Sequence, residues 1–180
     1  MMTELGKHVV YQVYPKSFQD SNDDGIGDLP GLIQRLPYLA NLGVTMIWLN
    51  PIFPPPQNDN GYDISDYTAI DPLFGTMADF EQLVREAENY QMGVMLDMVF
   101  NHTSIEHPWF QKALAGDVKY QDYYYLRPYR ENGLEPTNWV SKFWGSAWSR
   151  FGETDCAYLH LYDQSQADLN WHNPAVRQEL

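Results

Sequence analysis

A single cysteine, Cys156, stands among the 180 residues, so no disulfide can close within the chain. A reducing, cytoplasmic compartment is the natural expectation. Positive charge is also scarce: 11 Lys and Arg oppose 24 Asp and Glu, for a net charge of −13 and a pI near 4.5. Phosphate backbones need a basic face, and this argues against a nucleic-acid partner. No stretch approaches the roughly 20 apolar residues of a membrane span. The opening MMTELGKHVVYQVY lacks a long apolar run followed by small residues, so neither a membrane role nor a secretory leader is expected. The Asn101-His102-Thr103 sequon then has no bearing on glycosylation. Missing too is G-x-G-x-x-G from the first strand-to-helix turn, which is full of carboxylates and unsuited to a pyrophosphate.

What is present suffices for a folded domain with a core: 44% hydrophobic residues and 15% aromatics. The acidity is uneven, with 14 acidic against 4 basic residues in the first hundred and 10 against 7 thereafter. The first part suits a cation, and the second tolerates an anionic ligand.

His8 to Tyr14 reads as a strand. Asp28-Leu-Pro-Gly opens a helix, with Asp28 as cap and Pro30 at an early position. Leu29, Leu32, Ile33, Leu36, Leu39 and Ala40 share one face, Pro37 should kink or divide the helix, and Gly43 should end it. Val44 to Leu49 is a second buried strand. A long loop leads to Thr76-Met-Ala-Asp79, a capping box, and to a helix with Met77, Phe80, Leu83, Val84 and Ala87 inward. Gly93 is expected to close that helix. Val94, Met95, Leu96, Met98 and Val99 make a third strand, buried on both faces as in a parallel sheet covered by helices. The βαβαβ order predicts three parallel strands. From 104 to 172 no long helical period survives, and many aromatics and turns point to an irregular inserted subdomain. Pro174 to Leu180 begins another helix.

Three clusters carry chemistry. Asp20, Asn22, Asp24 and Asp28, with the Ile26 carbonyl, place oxygens at alternate positions around Gly25, as a hard cation such as Ca²⁺ requires. The spacing matches the first nine positions of an EF-hand loop. However, Gly31 stands where the twelfth-position Glu would be, and a strand precedes it, not a helix. A solvated acidic turn capped by Asp28 is the alternative. Asp97, in the third strand, is either a paired core carboxylate or part of a site, since polar groups at carboxyl ends of strands build sites in such folds. Asp59, Tyr62 and His102 fall on the same rim. A carboxylate to accept from hydroxyls, a ring to cover an apolar face and an imidazole suit a polyol. A simple Asp-Gly turn remains the alternative. The tyrosines at 120, 123, 124 and 125 suit a miniature core, and His107, His160 and His172 show no metal spacing.

The blocks VVYQVYPKSF, DGIGDLPGL, GVTMIWLNPIF, NDNGYDISDY, FGTMADFEQLV, LDMVFNHTS, GSAW, YLHL and QADLNW together resemble the α-amylase family of glycoside hydrolases, in its α-glucosidase branch. The resemblance implies an α/β fold: the N-terminal portion of a (β/α)8 TIM barrel, its first three βα units over residues 1–103. An irregular domain B would occupy 104–172, and 173–180 would start the third barrel helix. It implies a retaining α-glucosidase, in which an Asp attacks the anomeric carbon and a Glu protonates the leaving oxygen. Both carboxylates, and a third essential one, are expected beyond residue 180, so the chain alone should be inactive and should need the remainder of the barrel as partner. Asp59, Tyr62 and His102 would contact the terminal glucose of a small α-glucoside, Phe143 would wall the cleft, and Asp97 would organise the site. The same likeness assigns Asp20, Asn22, Asp24, Ile26 and Asp28 to a structural Ca²⁺. Ala167, where proline is more usual in enzymes acting on isomalto-oligosaccharides, together with Pro136 to Phe143, favours trehalose 6-phosphate as substrate. Lys142 is the nearest phosphate candidate by motif, with Arg127, Arg130 and Arg150 unplaced. A non-catalytic barrel homologue and a free-standing calcium module are the non-enzyme alternatives.

Overall fold

In a computed structural model describing residues 5–180, strand and helix alternate through the first hundred residues and give way to short pieces after them. Residues 1–4, where the expected lack of a leader begins, lie outside the described residues. The chain divides into two compact units: 1–54 with 68–98, and 55–67 with 99–180.

The first unit is a parallel three-stranded sheet in the order β1 (Val10–Val13), β2 (Met46–Leu49), β3 (Gly93–Leu96). The one-turn helix α1 (Pro15–Phe18) follows β1, and the crossovers carry α2 (Leu29–Asn41) and α3 (Met77–Asn89). Helix α2 starts where its cap dictates: Asp28 accepts from the Gly31 N–H at 2.6 Å. Helix α3 has the full capping box, with Thr76 accepting from Asp79 N–H and Asp79 accepting from Thr76 N–H at 2.7 Å. Leu29, Leu32, Leu36 and Leu39 of α2 and Leu83 and Ala87 of α3 pack with Val13, Ile47 and Leu49.

Three expectations need correction. The strands are not buried on both faces, since Val10 and Met95 are exposed. Helices cover one face of the sheet within this unit, and the other is not covered by it. Pro37 does not divide α2, which runs unbroken for 13 residues; a proline removes a single N–H bond, and the buried leucine face holds both halves. Gly93 does not close α3. The helix ends at Asn89, Gln91 takes the left-handed turn at φ 58°, and Gly93 is already the first residue of β3.

Gly27 and Gly31 explain the spelling of the loop ahead of α2. An added Cβ would lie 2.0 Å from the Pro15 carbonyl oxygen at Gly27 and 2.1 Å from that of Gln19 at Gly31. The backbone of α1 and the residue after it passes too close for any side chain there.

The second unit has a two-stranded antiparallel ladder, β4 (His102–Ser104) with β8 (Gln166–Asp168). Between these strands in sequence come α4 (Pro108–Leu114), α5 (Val118–Gln121), β5 (Leu126–Pro128), β6 (Trp148–Arg150) and β7 (Cys156–Leu159); β5, β7 and β6 form an antiparallel sheet in that order. The terminal helix α6 (Pro174–Glu179) tucks Val176 into the same core. That core is aromatic: Phe110 meets Tyr124, Phe151 and Tyr158 edge to face at 5.1–5.5 Å. Tyr123 and Tyr124 are buried in it, and Tyr120 packs against it. Among the described residues no helix is long and apolar enough to cross a membrane.

Gly31→Ala should lower stability by about 1–3 kcal/mol, as overpacking against fixed backbone does. Denaturant unfolding of the pair measures it, and an unchanged midpoint would contradict the close approach.

Candidate functional site

The loop 58–63 is drawn shut by one buried side chain. Asp63 is fully buried, and its carboxylate accepts from the backbone N–H of Asn58 at 2.9 Å and of Asp59 at 3.2 Å. Asn60 and Gly61 take left-handed conformations, φ 47° and 100°, and let the Tyr62 N–H return to the Asp59 carbonyl at 2.9 Å. Asp59 and Tyr62 are thus presented on one tight turn.

His102, first residue of β4, is only 3% exposed. Its Nε2 lies 3.0 Å from the Tyr62 carbonyl oxygen and its Nδ1 3.2 Å from Asn101 Nδ2. Burial pushes the imidazole pKa down; the bond to Tyr62 and the charges of Asp59 and Asp63 pull the other way. The Tyr162 ring sits 5.5 Å from His102 and 6.2 Å, edge-on, from the exposed ring of Phe143. Ser141 Oγ donates to the Tyr162 carbonyl at 2.6 Å and accepts from the Phe143 N–H at 3.0 Å, tying the two aromatic loops together.

Of the residues expected at a sugar site, Asp59, Tyr62, His102 and Phe143 therefore belong to one unit and are linked through shared neighbours. Asp97 belongs to the other unit. It follows β3 at its carboxyl end, half-buried, with its N–H on the Leu49 carbonyl at 3.0 Å.

Four supporting residues carried no assigned role in the sequence reading. Gln166 is fully buried; its amide donates to Asp59 Oδ2 at 2.8 Å and accepts from the Asp163 N–H at 2.8 Å. Asp168, two residues on and 4% exposed, accepts from Asn101 Nδ2 at 2.9 Å and from the Leu161 N–H at 2.6 Å. Burial raises the Asp168 carboxyl to about 6 against the pull of those two bonds. Tyr162 and Asn101 complete the set. The available signal was the block QADLNW with its alternate polar residues, whose partners lie 107 and 67 positions upstream.

Phe143 and Tyr162 border a cavity of about 270 Å³, with Trp144 and Asp163 in its wall. A separate cavity of about 700 Å³ is lined by Arg127, Trp139, Trp148 and Trp171, with Asn101 and Asp168 at its edge. Asp59 and His102 do not border it. Arg127, one of the unplaced cations, therefore lines a cavity with tryptophans that Asp59 and His102 do not border.

In the first unit, the acidic loop is a chain of side-chain-to-backbone turns. Asp20 accepts from the N–H groups of Asn22, Asp23 and Gly25 at 3.0, 2.9 and 2.7 Å. These bonds hold its carboxyl below the usual range. Asn22 accepts from Asp24 N–H and Asp24 from Ile26 N–H, at 3.0 and 2.8 Å. Asp28 accepts from Ser21 Oγ at 2.8 Å while capping α2. Among the described residues no three His, Cys, Asp or Glu side chains gather as a metal group. A cation here would draw on the Asn22 amide and Ile26 carbonyl as well. The donor set, oxygen throughout, fits a hard cation, because each carboxylate keeps lone pairs beyond those spent on the turns.

The chain belongs to the α-amylase family: its catalytic-domain model, described as "Alpha amylase, catalytic domain", matches residues 12–180. Trehalose-6-phosphate hydrolase of Escherichia coli (strain K12) is 54% identical over 96% of this chain, and oligo-1,6-glucosidase of Bacillus cereus 53% identical over 96%. The crystal structure of Bacillus licheniformis trehalose-6-phosphate hydrolase superposes with a TM-score of 0.93 at 53% identity, over 96% of this chain. In each case the chain spans 31% of the relative's length.

Proposed function

We propose that this chain is the sugar-reading first part of a retaining α-glucosidase. In this reading residues 1–103 supply three βα units of a (β/α)8 barrel and 104–172 its domain B. The observation that carries it is the joining of Asp59, Tyr62 and His102 on one rim by the Asp63-closed turn, with Gln166 fixing Asp59 from behind. The Asp59 carboxylate accepts from two hydroxyls of the terminal glucose. Tyr62 covers the apolar face of its ring, and Phe143 with Tyr162 walls the cleft against water. Asp97 is proposed as an organiser that pairs with an arginine near the nucleophile. The nucleophile and the acid that complete a retaining mechanism come from the remainder of the barrel.

Trehalose 6-phosphate is the proposed substrate, with isomalto-oligosaccharides as second reading. Relatives of both activities stand at almost equal identity, 54% and 53%. Ala167 and the Pro136 to Phe143 block support the first, and Lys142, next to Phe143, is the cation proposed to meet the phosphate. The complete protein should cleave trehalose 6-phosphate in preference to isomaltose. Lys142→Ala should raise KM for the phosphorylated sugar about tenfold, the loss of one charge-assisted hydrogen bond, and leave that for isomaltose alone. Preference for isomaltose, or an equal effect on both sugars, would refute the assignment.

The loop of Asp20, Asn22, Asp24, Ile26 and Asp28 is proposed to hold one structural Ca²⁺. Millimolar Ca²⁺ should raise Tm, Mg²⁺ should do so less, and Asp24→Ala should abolish the difference. A Tm indifferent to both ions would leave the loop a capped acidic turn.

A further inference from the structure

Asp168 is a buried carboxylate that the sugar chemistry above does not use. It touches the sugar-reading groups at two removes, and the hydrogen-bond roles along that path are forced from both ends. The Tyr62 carbonyl can only accept, so His102 Nε2 must carry a proton to make its 3.0 Å contact. At the other end, ionised Asp168 can only accept, so Asn101 must turn its NH2 toward it at 2.9 Å. That same nitrogen lies 3.2 Å from His102 Nδ1 and points its second hydrogen there, so Nδ1 must be bare. The ring is therefore neutral, with one proton, on Nε2.

We propose that Asp168 is a positioning residue: acting through Asn101, it selects the Nε2–H tautomer of His102 and so sets which hydrogen the ring offers at the glucose rim. Its second oxygen, on the Leu161 N–H at 2.6 Å, anchors the residue immediately before Tyr162, whose ring lies against His102. One carboxylate thus governs both the proton and the packing of the imidazole. Backbone pairing supports the geometry, since His102 and Asp168 are direct partners in the β4–β8 ladder.

Charged and titratable groups face this path from several elements, and buried His160 contacts the Tyr162 carbonyl at 3.2 Å. Asp59 and Asp63 act on His102 from the 58–63 turn, and Tyr162 lies against its ring. Arg127 and His172 line the cavity that Asp168 borders. When Asp168 takes up a proton, Asn101 can rotate its amide, accept from Asp168 and offer its oxygen to Nδ1–H. Protonation of Asp168 and of His102 are then coupled, and the carboxyl, raised to about 6, titrates within reach of ordinary assay pH.

The experiment is a long-range 1H–15N correlation on the protein labelled at histidine, comparing wild type with Asp168→Asn. Asn at 168 supplies one acceptor where two donors wait. With its oxygen kept on the Leu161 N–H, its NH2 faces Asn101 and forces that amide to turn. Wild type should show His102 neutral with Nε2–H above pH 7. In the variant the ring should move to Nδ1–H or to imidazolium, with its titration midpoint raised by about a unit or more. An unchanged tautomer and midpoint, or Nδ1–H in the wild type, would overturn the proposal. If the variant does not fold, the wild-type spectrum decides alone: His102 found as Nδ1–H or as imidazolium above pH 7 overturns the proposal.

The tautomer does not depend on the enzyme reading; only the positioning role rests on the α-glucosidase reading above. That role is read in the active complete protein, where Asp168→Asn should raise KM for an α-glucoside about tenfold, change kcat less, and displace the acid limb of the pH profile. An unchanged KM there would overturn it, while a wild type without glycosidase activity would overturn the function and leave the tautomer standing.

Discussion

The second unit depends on two polar side chains that cannot be left unpaired. Gln166 and Asp168 are buried two residues apart on β8, on the same face of the strand because side chains alternate. An unsatisfied buried amide costs on the order of 1–3 kcal/mol and a carboxylate more, so the surrounding chain must bring donors and acceptors to both. Gln166 takes Asp59 and the Asp163 N–H; Asp168 takes Asn101 and the Leu161 N–H. Satisfying them draws together the 58–63 turn, the start of β4 and the loop carrying Tyr162. A requirement of folding thereby fixes the geometry of the rim proposed to read the sugar.

The first unit answers a different constraint. Its loop from Asp20 to Asp28 must turn within a few residues and pass directly over the backbone of α1. Carboxylates accept the otherwise idle N–H groups of the turn, and glycine stands at the two points of closest approach. Asp28 serves twice, closing the loop through Ser21 and starting α2. Such a preorganised set of oxygens explains why a calcium reading and a capped-turn reading describe the same residues.

Much of this was legible in the chain itself. Periodicity and caps placed α2 and α3 within a residue of their observed starts, because Asp28 and Thr76 act locally on the N–H groups just after them. Asp59 and Tyr62, in the long loop after the second strand, were expected on one rim with His102, and the Tyr62 carbonyl does meet the His102 ring. The roles of Gln166 and Asp168 were not legible, since each depends on a partner far upstream and neither has a local consequence. Exposure of Met95 escaped for a related reason: an apolar run does not disclose which of its faces is covered. Gly93 misled because glycine ends helices so often; here Gln91 accepted the left-handed turn instead.

The family membership and the site geometry meet at Asp59, the carboxylate proposed to recognise a terminal glucose and the one Gln166 holds. Calorimetric titration of an α-glucoside into the complete protein and its Gln166→Leu variant tests that dependence most directly. With Asp59 freed, affinity should fall about tenfold or more while the fold, read by circular dichroism, persists. Equal affinity in a folded variant would show that β8 does not set the sugar-reading rim.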